Sequence, residues 1–340
     1  MKGIYIHILA VTVLFLKLSD IRAQEFKRND ITGYTQGTTY SIIQYTTGKA
    51  VEQREIDSVL KVIDLSMSIY IPNSTISKFN EYATDEIILD EHFKKVVETS
   101  FEIYKDSKGI FDLTVQPLVQ MWGFGAKKIT VLPTKKQIDS VRQYVGMDKL
   151  KLEGNKLIKL KKGIKVDVNG IAQGYSVDVL ADYLEVKGVN AYLVEVGGEL
   201  RIKGPKPDGE PFKIGVEKPT EDIGMQQQDM QEIIAINKGA VTTAGNYRKY
   251  QKSKDKKISH HIDPKTGYPY QGQIISATVY TEKALMADGY DNVFMAMTPA
   301  KAIKYANKRN MQLYLIYRDK HGKVLTKYTD GFLQLDKPQT

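Results

Sequence analysis

Segments with a helical hydrophobic period alternate along this chain with short runs of β-branched and aromatic residues. That interleaving constrains the fold more than any other feature. Ile56, Val59, Leu60 and Ile63 recur at helical spacing, as do Phe93, Val96, Val97 and Phe101 behind Asp90. Thr134 and Gln137 form a capping box ahead of Ile138, Val141 and Val145. Ile171, Tyr175, Val179 and Leu180 mark a further helix. Strands are expected at 40–45, 191–196, 233–237, 276–280 and 312–317. Mixed patterns of this kind leave the α+β and α/β classes. Neither the Pro/Gly-rich loop at 204–209 nor the Gln-rich stretch at 226–228 reads as an inter-domain linker. A single large domain is therefore expected, and 340 residues, 42% of them hydrophobic, suffice for its core.

The N-terminus reads differently. Lys2 precedes an apolar run at 8–16, followed by Leu18, Ile21, Arg22 and Ala23. This pattern predicts a secretory segment over 1–23, cleaved after Ala23, and a domain over 24–340. The run falls short of the ~20 apolar residues of a comfortable span. An uncleaved anchor, associating the protein with a membrane, is the alternative. Either reading places the domain outside the cytoplasm. The chain has no cysteine, which excludes disulfides, thiolate metal sites, Fe–S clusters, a cysteine nucleophile and a lipidated N-terminal cysteine. The net charge of +9 is spread along the chain, apart from a cluster at Lys252, Lys254, Lys256 and Lys257. No aromatic residues interleave with that cluster, so it reads as a solvated loop and no nucleic-acid partner is expected.

Four segments carry chemistry. In 286–297, Asp288, Asp291 and Asn292 fall on the helix face opposite Met286, Gly289, Tyr290, Val293 and Met297. Asp288 and Asn292, one turn apart, suit a hard cation such as Mg²⁺, or form a solvated face. In 166–175 a strand is expected to end and a helix to begin, with Gly170 and Gly174 at the junction. Such a turn presents N–H groups to an anion, or is only a tight connection. The stretch 259–267 places His260 and His261 before Asp263-Pro264-Lys265-Thr266-Gly267. The latter residues make a turn, and a histidine beside it offers a base near neutral pH. The segment 109–125 holds the single tryptophan, Trp122, between glycines, as core packing or as a wall for a planar ring.

In this order, these segments resemble the FAD:protein FMN transferases, the ApbE-type family. The likeness covers nearly the whole chain that follows the secretory segment. It includes Gln36-Gly37-Thr38-Thr39-Tyr40, Ser68-Ile69-Tyr70, Phe111-Asp112-Leu113-Thr114-Val115, Glu195-Val196-Gly197-Gly198-Glu199, Thr243-Ala244-Gly245-Asn246-Tyr247 and Ala287-Asp288 with Asn292. The resemblance implies an α+β fold built on a duplicated antiparallel-sheet, T-fold-like unit with packed helices. It implies FAD as substrate, Mg²⁺ as cofactor and AMP as leaving group. The acceptor would be a Thr or Ser on a flavoprotein subunit of a membrane redox complex, with the enzyme in the periplasm or on the periplasmic face of the inner membrane. Carried over, Asp288, Asp291, Asn292 and the Gly170 carbonyl would hold Mg²⁺. FAD would contact Gln36, Tyr70, Ile110, Phe111, Asp112, Asp167, Gln173 and Ile262, and His261 would deprotonate the acceptor hydroxyl. The family usually has Met at the position of Gln36, Lys at Gln173 and Thr at Asn292. Loss of the Lys removes a cation near the diphosphate. Two other activities fit the same pattern: an FAD pyrophosphatase giving FMN and AMP, and a non-catalytic FAD-binding protein.

Overall fold

The computed structural model describes residues 25–124, 131–217, 230–246, 250–253 and 256–335. The secretory segment with its cleavage point, the Gln-rich stretch at 226–228, Tyr247 and Lys254 lie outside these residues. No helix among the described residues is long and apolar enough to cross a membrane.

The chain opens with β1 (Lys27–Thr35) and β2 (Thr38–Thr46), then α1 (Gln53–Met67), α2 (Thr75–Phe79), β3 (Glu86–Ile88) and α3 (Glu91–Ser107). Next come α4 (Gln116–Met121), α5 (Lys135–Arg142), β4 (Leu150–Glu153), β5 (Lys156–Lys159), α6 (Ala172–Val186), β6 (Ala191–Val196) and β7 (Glu199–Lys203). Four strands follow: β8 (Phe212–Glu217), β9 (Met230–Ile236), β10 (Lys238–Gly245) and β11 (Tyr250–Ser253). The last elements are β12 (Lys256–Ser259), β13 (Ile274–Thr281), α7 (Ala284–Met295), α8 (Pro299–Asn307), β14 (Gln312–Arg318) and β15 (Val324–Tyr328).

The frame is one eight-stranded sheet in the order β1-β2-β6-β7-β10-β13-β14-β15, antiparallel throughout. Its strands alternate between two apolar layers. Leu313 and Leu315 of β14 join the core that contains α3 and α7, while Tyr314 and Ile316 join the core under the β8–β9 hairpin. Both faces of the sheet are thus covered. Helices α1 and α6 close the helix side over β1, β2 and β6 through Ile56, Leu60, Val177 and Leu180.

The helix starts are those the sequence specifies. Asp90 accepts from Phe93 N at the head of α3, and Thr134 and Gln137 form a complete capping box at α5. Two expectations need correcting. Lys252, Lys256 and Lys257 of the lysine cluster expected in a loop are carried by β11 and β12, where Lys252 pairs with Lys257. The segment before Gly170 joins no sheet. Asn80 takes the place of a neighbouring strand, its side chain bonding both Val166 N and Val166 O at 2.8 Å. Asp167 N donates to Leu113 O at 2.8 Å. The backbone groups are satisfied singly, so no ladder forms.

Candidate active site at the crossing of two helices

Helices α6 and α7 cap each other. Asp178 of α6 accepts from Ala284 N and Leu285 N, at 3.0 and 2.9 Å, at the start of α7. Asp288 of α7 accepts from Gly174 N, at 2.8 Å, in the first turn of α6. Neither helix has a side-chain cap of its own. Each carboxylate therefore satisfies orphan donors of its partner and sits against the positive end of that helix dipole. The contact requires glycine at 174, since a Cβ there would lie 2.5 Å from Ala284 O and 2.7 Å from Asp288 Cβ.

Ten of the twelve residues of α7 are buried, Asp288 and Asp291 among them. The polar face read from the sequence is present, but it is not solvated. Burial raises the Asp288 carboxyl to about 7. Asp291 is pushed well above the ordinary carboxylate range, by burial first and then by Asp288. A third acid joins them from the sheet. Glu199, at the start of β7, is buried and likewise pushed far up, by burial and then by the charges of Asp288 and Asp291. Its Oε2 has no hydrogen-bond partner among the described residues. Asn292 ties the pocket together, its Nδ2 donating to Asp288 O (2.9 Å), Asp291 Oδ1 (2.9 Å) and Gly170 O (3.2 Å). The expected metal-binding set of Gly170, Asp288, Asp291 and Asn292 is thus assembled in one place. Among the described residues, no three His, Cys, Asp or Glu side chains stand at metal-ligand spacing. The assembled set has only two carboxylates, joined by an amide and a carbonyl.

His261 adjoins this pocket through a hydrogen bond with Asn292. Its Nδ1 lies 2.8 Å from Asn246 Oδ1, which also accepts from Ser259 Oγ at 2.6 Å. An amide oxygen only accepts, so Nδ1 carries the proton and Nε2 is left as the basic nitrogen. Burial, and then the His260 ring 4.0 Å away, push His261 well below its ordinary value. The imidazole is neutral at pH 7 and able to accept a proton.

The expected FAD contacts divide. Tyr70 and Asp167 line one cleft of about 440 Å³, with Tyr82, Phe124 and Lys165. Asp167 is half-buried, and burial raises its carboxyl. The Ile110–Asp112 edge runs beside it, linked through the Asp167–Leu113 bond. Within that edge Phe111 is buried in the core. Asp112 is held by its own chain: Oδ1 accepts from Thr114 N (2.7 Å) and Oγ1 (2.5 Å), and Oδ2 from Met147 N (3.2 Å). Gln36 and Gln173 lie elsewhere, Gln36 against α6 and Gln173 within its first turn. Gln36 adopts φ +51°, donates from Nε2 to Ser176 Oγ at 2.6 Å and keeps a buried, unpartnered Oε1. Gln173 packs on the β6–β7 turn, where a Cβ on Gly197 would lie 2.9 Å from its Nε2.

Ile262 packs with Trp122, Leu118 and Ile138, and Trp122 Nε1 donates to Gly267 O at 2.8 Å. The tryptophan is therefore core, and Phe124 is the cleft wall. The Asp263–Gly267 turn closes with Gly267 N donating to Asp263 O at 2.7 Å. The α6 opening does not behave as an open anion cradle: Ile171 N and Ala172 N donate to Val168 O, and Gly174 N to Asp288. Sequence reasoning missed Glu199, Asp178, Arg201 and Asn246 as functional or supporting groups. Glu199 and Asn246 did stand in motifs that carried the family likeness.

A buried acid pocket joined to a neutral histidine is an arrangement suited to catalysis. Comparison with known proteins agrees. The sequence profile of the ApbE family matches residues 36–315. A protein of Haemophilus influenzae named FAD:protein FMN transferase is 35% identical over 326 residues, 92% of each chain. The solved flavin transferase ApbE from Vibrio cholerae superposes with a TM-score of 0.83 at 32% identity, covering 92% of this chain and all (100%) of that one. The flavinyl transferase ApbE from Pseudomonas stutzeri gives 0.81 at 30% identity, covering 93% and 98%. The chain belongs to the ApbE family.

Proposed function

We propose that this protein is an FAD:protein FMN transferase that moves FMN from FAD to a Thr or Ser hydroxyl of an acceptor flavoprotein, with Mg²⁺ as cofactor. The observation that carries the reading is the acid pocket of Asp288, Asp291 and Glu199 joined to the neutral His261 through Asn292. Three buried acids without a protein cation suit a hard divalent ion, and the carboxylates and the Gly170 carbonyl offer oxygen.

In the reaction the acceptor oxygen bonds to the FMN-side phosphorus of FAD, the bond from that phosphorus to the bridging diphosphate oxygen breaks, and AMP departs with that oxygen. His261 Nε2 takes the hydroxyl proton, a contribution of ~10²–10⁴-fold for a positioned base. Asn246 holds the ring in the required tautomer. Mg²⁺ held by Asp288, Asp291, Asn292 and the Gly170 carbonyl would neutralise charge on the diphosphate. Asn292 turns its nitrogen toward Gly170 and Asp291, so its amide would have to flip to offer oxygen. Tyr70 and the Asp167 edge bind and orient FAD from the cleft.

The finer readings follow the same family. The sheet reads as two strand–strand–helix–strand–strand units, β1-β2 with β6-β7 and β10-β13 with β14-β15, which supports a duplicated, T-fold-like ancestry. The secretory segment over 1–23 supports an exported enzyme in the periplasm, acting on a subunit of a membrane redox complex.

The test is incubation with FAD, Mg²⁺ and an acceptor domain bearing one Thr, followed by a denaturing gel imaged for flavin fluorescence. A fluorescent acceptor band that disappears on chelation supports transfer. Release of AMP and free FMN without a band would make the protein a pyrophosphatase. Intact FAD with a competent acceptor would make it a binding protein.

A further inference from the structure

Glu199 and Arg201 stand two residues apart on β7 and so point to the same, helix-covered face. Their fates differ. Arg201 Nη1 bonds Asp178 at 2.6 Å, and its other nitrogen faces Asp182 and Glu185 at 3.6 and 3.9 Å. The one arginine of this strand is thereby committed to the capping acid. Glu199 accepts a backbone hydrogen bond from Thr243 and otherwise faces Asp288 and Asp291, only 9% exposed, with Oε2 unpartnered among the described residues. No ion pair to Glu199, Asp288 or Asp291 occurs among the described residues. A buried carboxylate oxygen without a donor is costly and calls for a ligand. The three acids are not at direct ligand spacing, so the donor that satisfies Glu199 has to stand between it and the ion.

Resting on the function proposed above, we propose that Glu199 is a positioning residue for the divalent cation, accepting a hydrogen bond from cation-bound water on the sheet side of the pocket. Asp288, Asp291, Asn292 and Gly170 then hold the ion from the helix side, and Glu199 fixes its hydration. Outer groups of this kind typically contribute 10–100-fold in metal affinity.

The test is calorimetric titration of Mg²⁺ alone into the FAD-free full chain, for the wild type, Glu199→Gln, Glu199→Asp and Asp288→Asn. Glu199→Gln keeps the shape and removes the charge. The expected result is a Mg²⁺ constant about 10–100-fold weaker, with a melting temperature in the absence of metal that does not fall. A structural Glu199 would do the reverse, lowering the melting temperature and leaving the Mg²⁺ constant unchanged, which overturns the proposal. Should Gln at 199 unfold the chain, Glu199→Asp decides: weaker Mg²⁺ binding supports the proposal and unchanged binding overturns it. Asp288→Asn separates the two levels. If it loses Mg²⁺ while Glu199→Gln binds as the wild type, only the role of Glu199 fails. If Asp288→Asn also binds as the wild type, the metal reading fails and takes this proposal with it.

Discussion

Asp178 and Asp288 occupy equivalent places on two crossing helices and are almost equally buried, at 6% and 5% exposure, yet their surroundings are opposite. Asp178 has two backbone N–H donors and the Arg201 guanidinium. Asp288 has one N–H donor and no ion pair among the described residues, with the carboxyls of Asp291 and Glu199 nearby. A buried charge is tolerated when it is paired and hydrogen-bonded. By that standard Asp178 serves the fold. Asp288 is kept at a cost to the fold, and a group in that position is a candidate for function.

The comparison can be broken by substitution. The largest effect is expected from Asp288→Ala, which should abolish Mg²⁺-dependent flavin transfer in the fluorescent-band assay while the chain stays folded. Asp178→Ala should cost about 3–5 kcal/mol in denaturant unfolding, since it strands a buried arginine and uncaps α7. His261→Ala should slow transfer by ~10²–10⁴-fold at pH 7 with little loss of stability, read from single-turnover rates.

A pH dependence sharpens the contrast. The Asp288 carboxyl lies near 3.8 when exposed and is raised to about 7 in the fold. Between those values the folded chain holds a proton that the unfolded chain has released. Its stabilising contribution is therefore complete below about 3.8 and is lost as pH rises through about 7. The melting temperature of metal-free protein should fall over this window, and Asp288→Asn should remove its share of the slope. The smallest effect is expected from Gln173→Lys. Restoring a half-exposed cation should tighten FAD binding by about 1 kcal/mol, roughly fivefold, in a flavin-fluorescence titration.

Local signals were legible where one segment determines its own structure. Thr134 with Gln137 and Asp90 before α3 located helix starts, and β6 falls at the expected 191–196. Edge strand β1 was missed because its first four residues, Lys27-Arg28-Asn29-Asp30, carry no apolar alternation. β10 was missed because Gly239, Ala240 and Ala244 lack β-branched bulk. Conversely, the alternation of Ile164, Val166 and Val168 with Lys165 and Asp167 is a strand's pattern, but the side chain of Asn80 takes the hydrogen bonds of Val166. The same division holds in the site. Helical spacing grouped Asp288, Asp291 and Asn292 on one face. Whether that face meets water or protein depends on α6, more than a hundred residues earlier. Glu199, Asp178 and Arg201 acquire their roles only through such distant contacts.

The most direct test of the contrast is thermal unfolding of Asp288→Asn beside the wild type at pH 8, with and without Mg²⁺. If Asp288 is kept for the cation, the variant melts no lower than the metal-free wild type and gains nothing from Mg²⁺, while the wild type gains. A variant that loses stability as Asp178→Ala does, or that keeps the full Mg²⁺ gain, would contradict this account.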